Sequence, residues 1–188
     1  MICLDCNTAI AAFQKDPPAN IAMHRERVRH FIREKSGSRL LFPAIALSEY
    51  LWKADQTELE AAILRVVSEG MFAPAFSQVT ASIAANLGRK YAAERKLADV
   101  AKKVSHDRVA LKADLLIVAT ALEHSAKYFL THDDGCYAVA KFAGILNPIL
   151  ISSLPDPPPA KAVCKPTPTG RANSIMDVLD SPEKPEEN

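Results

Sequence analysis

Four carboxylates lie where predicted strands and helices meet, rather than at scattered positions along the chain. In chain order they are Asp5, Glu49, Asp114 and Asp133. Taken singly, an acid in the first turn of a helix is usually a cap, and an acid after a strand is usually a turn residue. Those interpretations predict scattered acids, whereas the order of strands and helices here predicts that the four acids converge.

Converged carboxylates would have a definite chemistry. They raise one another's pKa unless a cation neutralises them. Oxygen ligands select hard ions, so the cation would be Mg²⁺ or Mn²⁺ rather than zinc. Such an ion keeps several waters, can make one of them a nucleophile, and can offset charge that builds on a phosphoryl oxygen. The residue types therefore point to hydrolysis of a phosphodiester.

Two strands are predicted to bring the first and last acids together. Met1 to Leu4 is a short apolar run that ends in Asp5, and a helix should follow with Asn7 or Thr8 as its cap. The segment 112–134 predicts a helix with Asp114 in its first turn, then a buried strand ending before Asp133. Adjacent parallel strands lie about 4.8 Å apart, so both acids would reach one crevice at the carboxyl edge of the sheet.

Strands and helices alternate along most of the chain, which is typical of a parallel sheet between layers of helices. A helix is predicted over about 57–68, and residues 71–76, interrupted by Pro74, should form a short edge strand or an extended link. From Ser152 the composition becomes rich in proline and polar residues. We therefore expect a folded domain over 1–151 and a disordered tail over 152–188.

Composition adds few constraints. A formal charge of +1 over 188 residues gives no indication of a nucleic-acid partner. Any such partner must be held by a local basic patch and a metal site rather than by a cationic surface. The four cysteines form no disulfide framework and are expected to be reduced, including the C-x-x-C pair of Cys3 and Cys6. No apolar run approaches the length of a membrane span. We expect a soluble, cytoplasmic protein.

At this point the residues show a resemblance to a known family. Over roughly residues 1–151 the chain resembles the PIN-domain family, particularly its VapC-like ribonuclease toxins. The similar motifs are Asp5-Cys6-Asn7 after the first strand, Ser48-Glu49, Ala113-Asp114 before LLIVATALEHSA, and LTHDD after the next strand. Each motif is weak alone, and their combination is specific.

The resemblance implies a three-layer α/β/α fold with a central, mostly five-stranded parallel sheet. It also implies that Asp5, Glu49, Asp114 and Asp133 bind Mg²⁺ or Mn²⁺ and activate water for RNA cleavage. Asn7 and Thr131 match small polar positions that would orient the first and last acids. The implied role is the endoribonuclease toxin of a type II toxin-antitoxin pair, with an antitoxin partner and a homodimeric state.

A second hypothesis belongs to another functional class. In this hypothesis the same fold serves as a binding module for RNA or protein, with cleavage slow or absent. The presence of all four acids argues against it, because a module without catalysis has no chemical need for mutually repelling carboxylates.

One departure from the family pattern is Cys6, which stands where Thr or Ser is common.

Overall fold

The computed structural model describes residues 1–53, 71–98, 108–145 and 147–158. Strands and helices alternate through most of this part of the chain, as predicted. In chain order the elements are β1 (Ile2–Leu4), α1 (Cys6–Phe13), α2 (Ala19–Ala22), α3 (Arg25–Glu34), β2 (Leu40–Leu41), α4 (Ala44–Lys53), α5 (Gln78–Ala98), α6 (Arg108–Glu123), β3 (Tyr128–Thr131), α7 (Asp134–Phe142), β4 (Asn147–Leu150) and a 3₁₀ turn at Ile151–Ser153.

The four named strands of the described part form one parallel sheet in the order β2-β1-β3-β4. Consecutive residues of a strand point to opposite faces of the sheet. Ile2, Cys3 and Leu4 are all completely buried, and Phe129 and Leu130 are as well. Both faces of the central strands are therefore covered, which gives the predicted three layers of helix, sheet and helix.

The resemblance implied a mostly five-stranded sheet, and residues 71–76 were expected to form a short edge strand or an extended link. The segment after residue 70 forms a single parallel bridge between Phe72 and Leu41. Phe72 accepts a hydrogen bond from the Phe42 N–H at 2.9 Å and donates one to the Leu40 carbonyl at 2.8 Å. The next N–H on that side would belong to residue 74, which is a proline and has none. The described part therefore has four strands and a one-residue extension.

Residues just beyond Ile151 remain in contact with the domain. Leu154 is buried, and the Arg27 guanidinium pairs with the Asp156 carboxylate at 2.6 Å. The division between 151 and 152 stays a prediction, since residues 159–188 lie outside the described part, as does the helix predicted over 57–68. None of the described helices is both long enough and apolar enough to cross a membrane.

Candidate functional site

A cavity of about 180 Å³ opens beyond the carboxyl ends of β1 and β3. All four predicted acids line it, and so does the half-buried Asn7. The complete lining is Asp5, Cys6, Asn7, Glu49, Ala110, Ala113, Asp114, Ile117, Asp133 and Cys136. The structure therefore brings together carboxylates that are up to 128 residues apart in the sequence, from Asp5 to Asp133.

Asp5 links β1 to α1 and is held by hydrogen bonds on both carboxylate oxygens. Oδ1 accepts the Thr8 N–H at 2.7 Å, so Asp5 itself caps α1 and the prediction of Asn7 or Thr8 as cap was wrong. Oδ2 accepts the Thr131 hydroxyl and the His132 N–H. Only 5% of Asp5 is exposed, and this burial raises its pKa although the hydrogen bonds act in the opposite direction.

Asp133 occupies the equivalent position between β3 and α7. It caps α7 by accepting the Cys136 N–H on Oδ1 at 2.8 Å, and its side chain is exposed. The Thr131 hydroxyl accepts the Asp133 N–H at 3.0 Å and donates to Asp5. Because β1 and β3 pair in parallel with Leu4 opposite Leu130, Thr131 lies beside Asp5 and connects it to Asp133.

Asp114 reaches the cavity from the interior of a helix rather than from its start. The helix begins at Arg108, so the prediction that Asp114 lies in its first turn was wrong, and the dipole argument for this acid does not apply. The lining residues of this helix are spaced as one helical face, with two small alanines beside the acid. They are Ala110, Ala113, Asp114 and Ile117.

The pKa of Asp114 shows that the acids interact. Burial, together with the neighbouring carboxylates of Asp133, Asp5 and Glu49, raises the pKa of Asp114 to about 6, although Cys136 acts in the opposite direction. Glu49 faces the cavity as the sixth residue of α4, beyond the first turn, and is exposed. The four carboxylates thus share one electrostatic environment.

The donor set suits a hard divalent cation, because its charged groups are all carboxylates. Burial and the neighbouring carboxylates raise the pKa of Asp114, so a cation held among these acids would offset the cost of ionising it. Within the described residues, no set of three or more His, Cys, Asp or Glu side chains is preassembled as a metal-binding group.

Sequence reasoning missed the place of Cys136 in this site. The residue was expected to be only a small buried thiol, and it is indeed buried and forms no disulfide. It also lines the cavity together with Asp114, and its backbone N–H donates to the Asp133 carboxylate at 2.8 Å. The signal in the sequence was its spacing, since the third residue after a capping acid supplies the N–H that the cap accepts.

The fold and the cavity define a class: a three-layer α/β/α protein with acidic side chains gathered at the carboxyl edge of a parallel sheet. A family model described as PIN domain matches residues 2–142, most of the chain. The chain belongs to the PIN domain family, which is in general a family of nucleases. In the same comparisons, no curated protein and no solved structure matched.

Proposed function

We propose that this protein is a metal-dependent endoribonuclease that hydrolyses phosphodiester bonds in RNA. The observation that carries the proposal is the convergence of four carboxylates on one cavity, where burial and the other three acids raise the pKa of Asp114. Such a cluster costs stability in the absence of a cation, so its presence is best explained by cation binding. Membership of a nuclease family supports the same reaction class.

The residues take distinct parts in this proposal. Asp5, Asp114 and Asp133 hold Mg²⁺ or Mn²⁺, and Glu49 is either a further ligand or the group that orients the attacking water. Thr131 keeps Asp5 in place through its hydroxyl, and Asn7 contributes a polar side chain to the cavity wall. When bound, the cation supplies an activated water and offsets charge on the phosphoryl oxygens.

Replacement of Asp5 or Asp114 by Asn tests the catalytic assignment. Each variant keeps the size of the side chain and removes its charge, so RNA cleavage should fall by at least about 100-fold, as expected when several kcal/mol of charge stabilisation are lost. Asp134→Asn is the matched control, because Asp134 is exposed and adjacent to Asp133 but is not part of the cavity lining. Cleavage of a mixed RNA substrate is followed with Mg²⁺, with Mn²⁺ and with chelator.

The outcome is unambiguous if folding is checked alongside by circular dichroism. Cleavage that needs the added ion, persists in Asp134→Asn and disappears in the other two variants supports the proposal. Cleavage that both charge-removing variants retain, or that chelator leaves intact, rejects it.

A second candidate function is an RNA-binding or protein-binding PIN module without efficient catalysis. The specific observation in its favour is that the carboxylates of the described residues form no preassembled metal group. The two candidates separate in one assay. A binding module would retain a labelled RNA on a filter and leave it uncut across the whole range of Mg²⁺ and Mn²⁺ concentrations.

We further propose the biological role of a toxin in a type II toxin-antitoxin pair. In this role the protein acts in the cytoplasm as a homodimer, and a cognate antitoxin covers the acidic cavity. Induced expression of the chain in bacterial cells should arrest growth, and the Asp5→Asn variant should not. Growth arrest by both proteins would disconnect the effect from the cavity and reject the toxin role.

A further inference from the structure

Trp52 is the most exposed of the large hydrophobic side chains that the structure describes, with 90% of its surface accessible. It is also the only tryptophan in the chain. Tryptophan carries a large apolar surface and is usually well covered in a folded protein. A single exposed hydrophobic residue needs no explanation on most surfaces, so the position of Trp52 decides what it can do.

Trp52 lies on the same face of α4 as Glu49, three residues after it. Residues three apart on a helix are neighbours, with Cβ atoms about 5–6 Å apart. Glu49 lines the acidic cavity and is also exposed, so it stands at the cavity opening. The indole of Trp52 is therefore placed beside that opening, on the solvent side of α4.

The opposite face of α4 is held by the core, so the helix cannot turn to cover the indole. Ala46 and Tyr50 are buried on that face. The Tyr50 ring packs edge-on against the Phe42 ring, with the ring centroids 5.8 Å apart. The helix also packs against α1 and α6. The exposure of Trp52 thus follows from the orientation of a helix that is fixed by its buried side.

The surroundings of Trp52 favour a nucleobase over a protein as its occupant. Among the described side chains of α4, the other exposed ones are Ser48 and Glu49, so this face carries one aromatic ring among polar groups. The core of a protein interface usually joins several apolar side chains. A base needs only one flat ring, and an unpaired base has a face free to stack, unlike a base inside a duplex.

We propose that Trp52 stacks on an unpaired base of the substrate and holds the adjoining phosphodiester at the opening of the acidic cavity. This inference rests on the proposed function of the cavity and narrows its substrate class to single-stranded segments of RNA. A base is joined to its phosphate through one ribose, so a base on the indole brings a phosphate close to the acids. Stacking does not depend on charge, which suits a chain whose formal charge is only +1.

The first test measures the fluorescence of this only tryptophan during titration with RNA. The full-length Asp114→Asn chain is used with Mg²⁺, so that the RNA stays intact, which a gel confirms. An unpaired oligonucleotide should quench the indole emission in a saturable way, because a stacked base contacts the ring directly. The same oligonucleotide annealed to its complement should leave the emission nearly unchanged.

The second test compares RNA affinity in variants of the same Asp114→Asn chain, by retention of labelled RNA on a filter. Trp52→Ala should weaken binding of the unpaired oligonucleotide by about tenfold or more, the usual effect of removing one stacking contact. Trp52→Phe keeps an aromatic face and should bind within about threefold of the reference chain. Phe76→Ala is the matched control, because Phe76 is an exposed aromatic residue outside the acidic cavity lining, and its affinity should be unchanged.

Quenching by unpaired RNA, together with the loss of affinity in Trp52→Ala, supports the inference. Unchanged emission in a protein that retains RNA overturns it, and so does equal affinity in Trp52→Ala and the reference chain. Equal quenching by the duplex overturns the preference for unpaired bases. Emission that changes with protein concentration but not with RNA assigns this face to a second copy of the chain and overturns the inference as well.

The inference and the nuclease proposal fail in different ways. In the chain with all four acids, Trp52→Ala should raise KM by about tenfold and leave kcat within about twofold. A parent that RNA quenches but that cuts no RNA with Mg²⁺ or Mn²⁺ rejects cleavage and keeps the stacking contact. A parent that cuts RNA with the same KM as Trp52→Ala rejects the stacking contact alone.

Discussion

Two cavities lie on different sides of α6, and they differ in volume and in the chemistry of the residues that line them. The acidic cavity has a volume of about 180 Å³ and takes Ala113, Asp114 and Ile117 from this helix. The second, of about 360 Å³, lies between α5 and α6 and takes Lys112, Leu115 and Leu116 from it. Apart from Lys112, its lining is apolar or glycine: Phe76, Ala81, Ala84, Ala85, Gly88, Leu115 and Leu116.

The comparison teaches that volume does not identify the reactive site. The larger cavity offers hydrophobic packing and a single cation, with no convergent groups for hydrolysis. The smaller one gathers carboxylates from four separate parts of the chain, and burial together with the neighbouring carboxylates raises the pKa of Asp114. Adjacent residues of one helix, Asp114 and Leu115, therefore belong to sites with opposite physical character.

The largest expected difference between the two cavities is in RNA cleavage. Asp133→Asn keeps an oxygen that can cap α7 but removes a charge, so kcat/KM should fall by at least about 100-fold with little change in thermal unfolding. Leu116→Ala at the apolar cavity should leave kcat/KM within about twofold and lower the free energy of unfolding by about 1–2 kcal/mol. Steady-state cleavage assays measure kcat/KM for the two variants, and thermal and urea unfolding measure their stability. Equal losses of activity in Asp133→Asn and Leu116→Ala would show that the acidic cavity has no special part in cleavage.

A smaller difference should appear in the dependence of stability on pH. The folded-state pKa of Asp114 is about 6 against an ordinary value of 3.8, so its favourable contribution is complete below about pH 4 and is lost as the pH rises through 6. Asp114→Asn should therefore gain stability over the parent across this window, by about 1 kcal/mol after allowance for solvent screening.

Unfolding by urea at several pH values measures this effect. Saturating Mg²⁺ should reduce the difference in free energy of unfolding between Asp114→Asn and the parent, because the ion stabilises the parent. The Leu116→Ala variant supplies the contrast, since its loss of stability should be the same at every pH. A pH-independent difference between Asp114→Asn and the parent would contradict a raised pKa of Asp114 in the folded protein.

The smallest expected effect is a gain in stability from filling part of the apolar cavity. A Cβ at Gly88 on α5 would lie 3.2 Å from Cδ1 of Leu115, whose side chain borders open space and can shift. Gly88→Ala should therefore keep most of the helix propensity gain and raise the free energy of unfolding by about 0.5 kcal/mol, with cleavage unchanged. A clear loss of stability in Gly88→Ala would mean that the Leu115 side chain cannot shift to make room for the added methyl group.

The strand-end acids were accessible to sequence reasoning because their positions follow from the geometry of a parallel sheet. Asp5 and Asp133 end apolar runs, and parallel strands bring such ends to one edge. The cap of α1 was misassigned because Asp5 was considered only as a site residue, although an acid between a strand and a helix can serve as both.

Other features depend on contacts that local patterns do not encode. The start of α6 at Arg108 moves Asp114 into the helix interior, and the alanine-rich face of that helix, rather than its dipole, gives the acid access to the cavity. Cys136 and Asp114 line the same cavity from elements in separate parts of the chain. Residues 71–76 pair with β2 only at Phe72, because Pro74 has no N–H to donate at the next pairing position. The sequence shows the proline but not which side of this segment faces β2.

The central claim is that Asp5, Asp114 and Asp133 share one divalent cation. The most direct measurement is the anomalous scattering from Mn²⁺ soaked into crystals of the protein. We expect an anomalous peak inside the acidic cavity, within coordinating distance of oxygens from all three carboxylates. An empty cavity in crystals of a protein that cleaves RNA with Mn²⁺, or a peak held by other residues, would contradict this account.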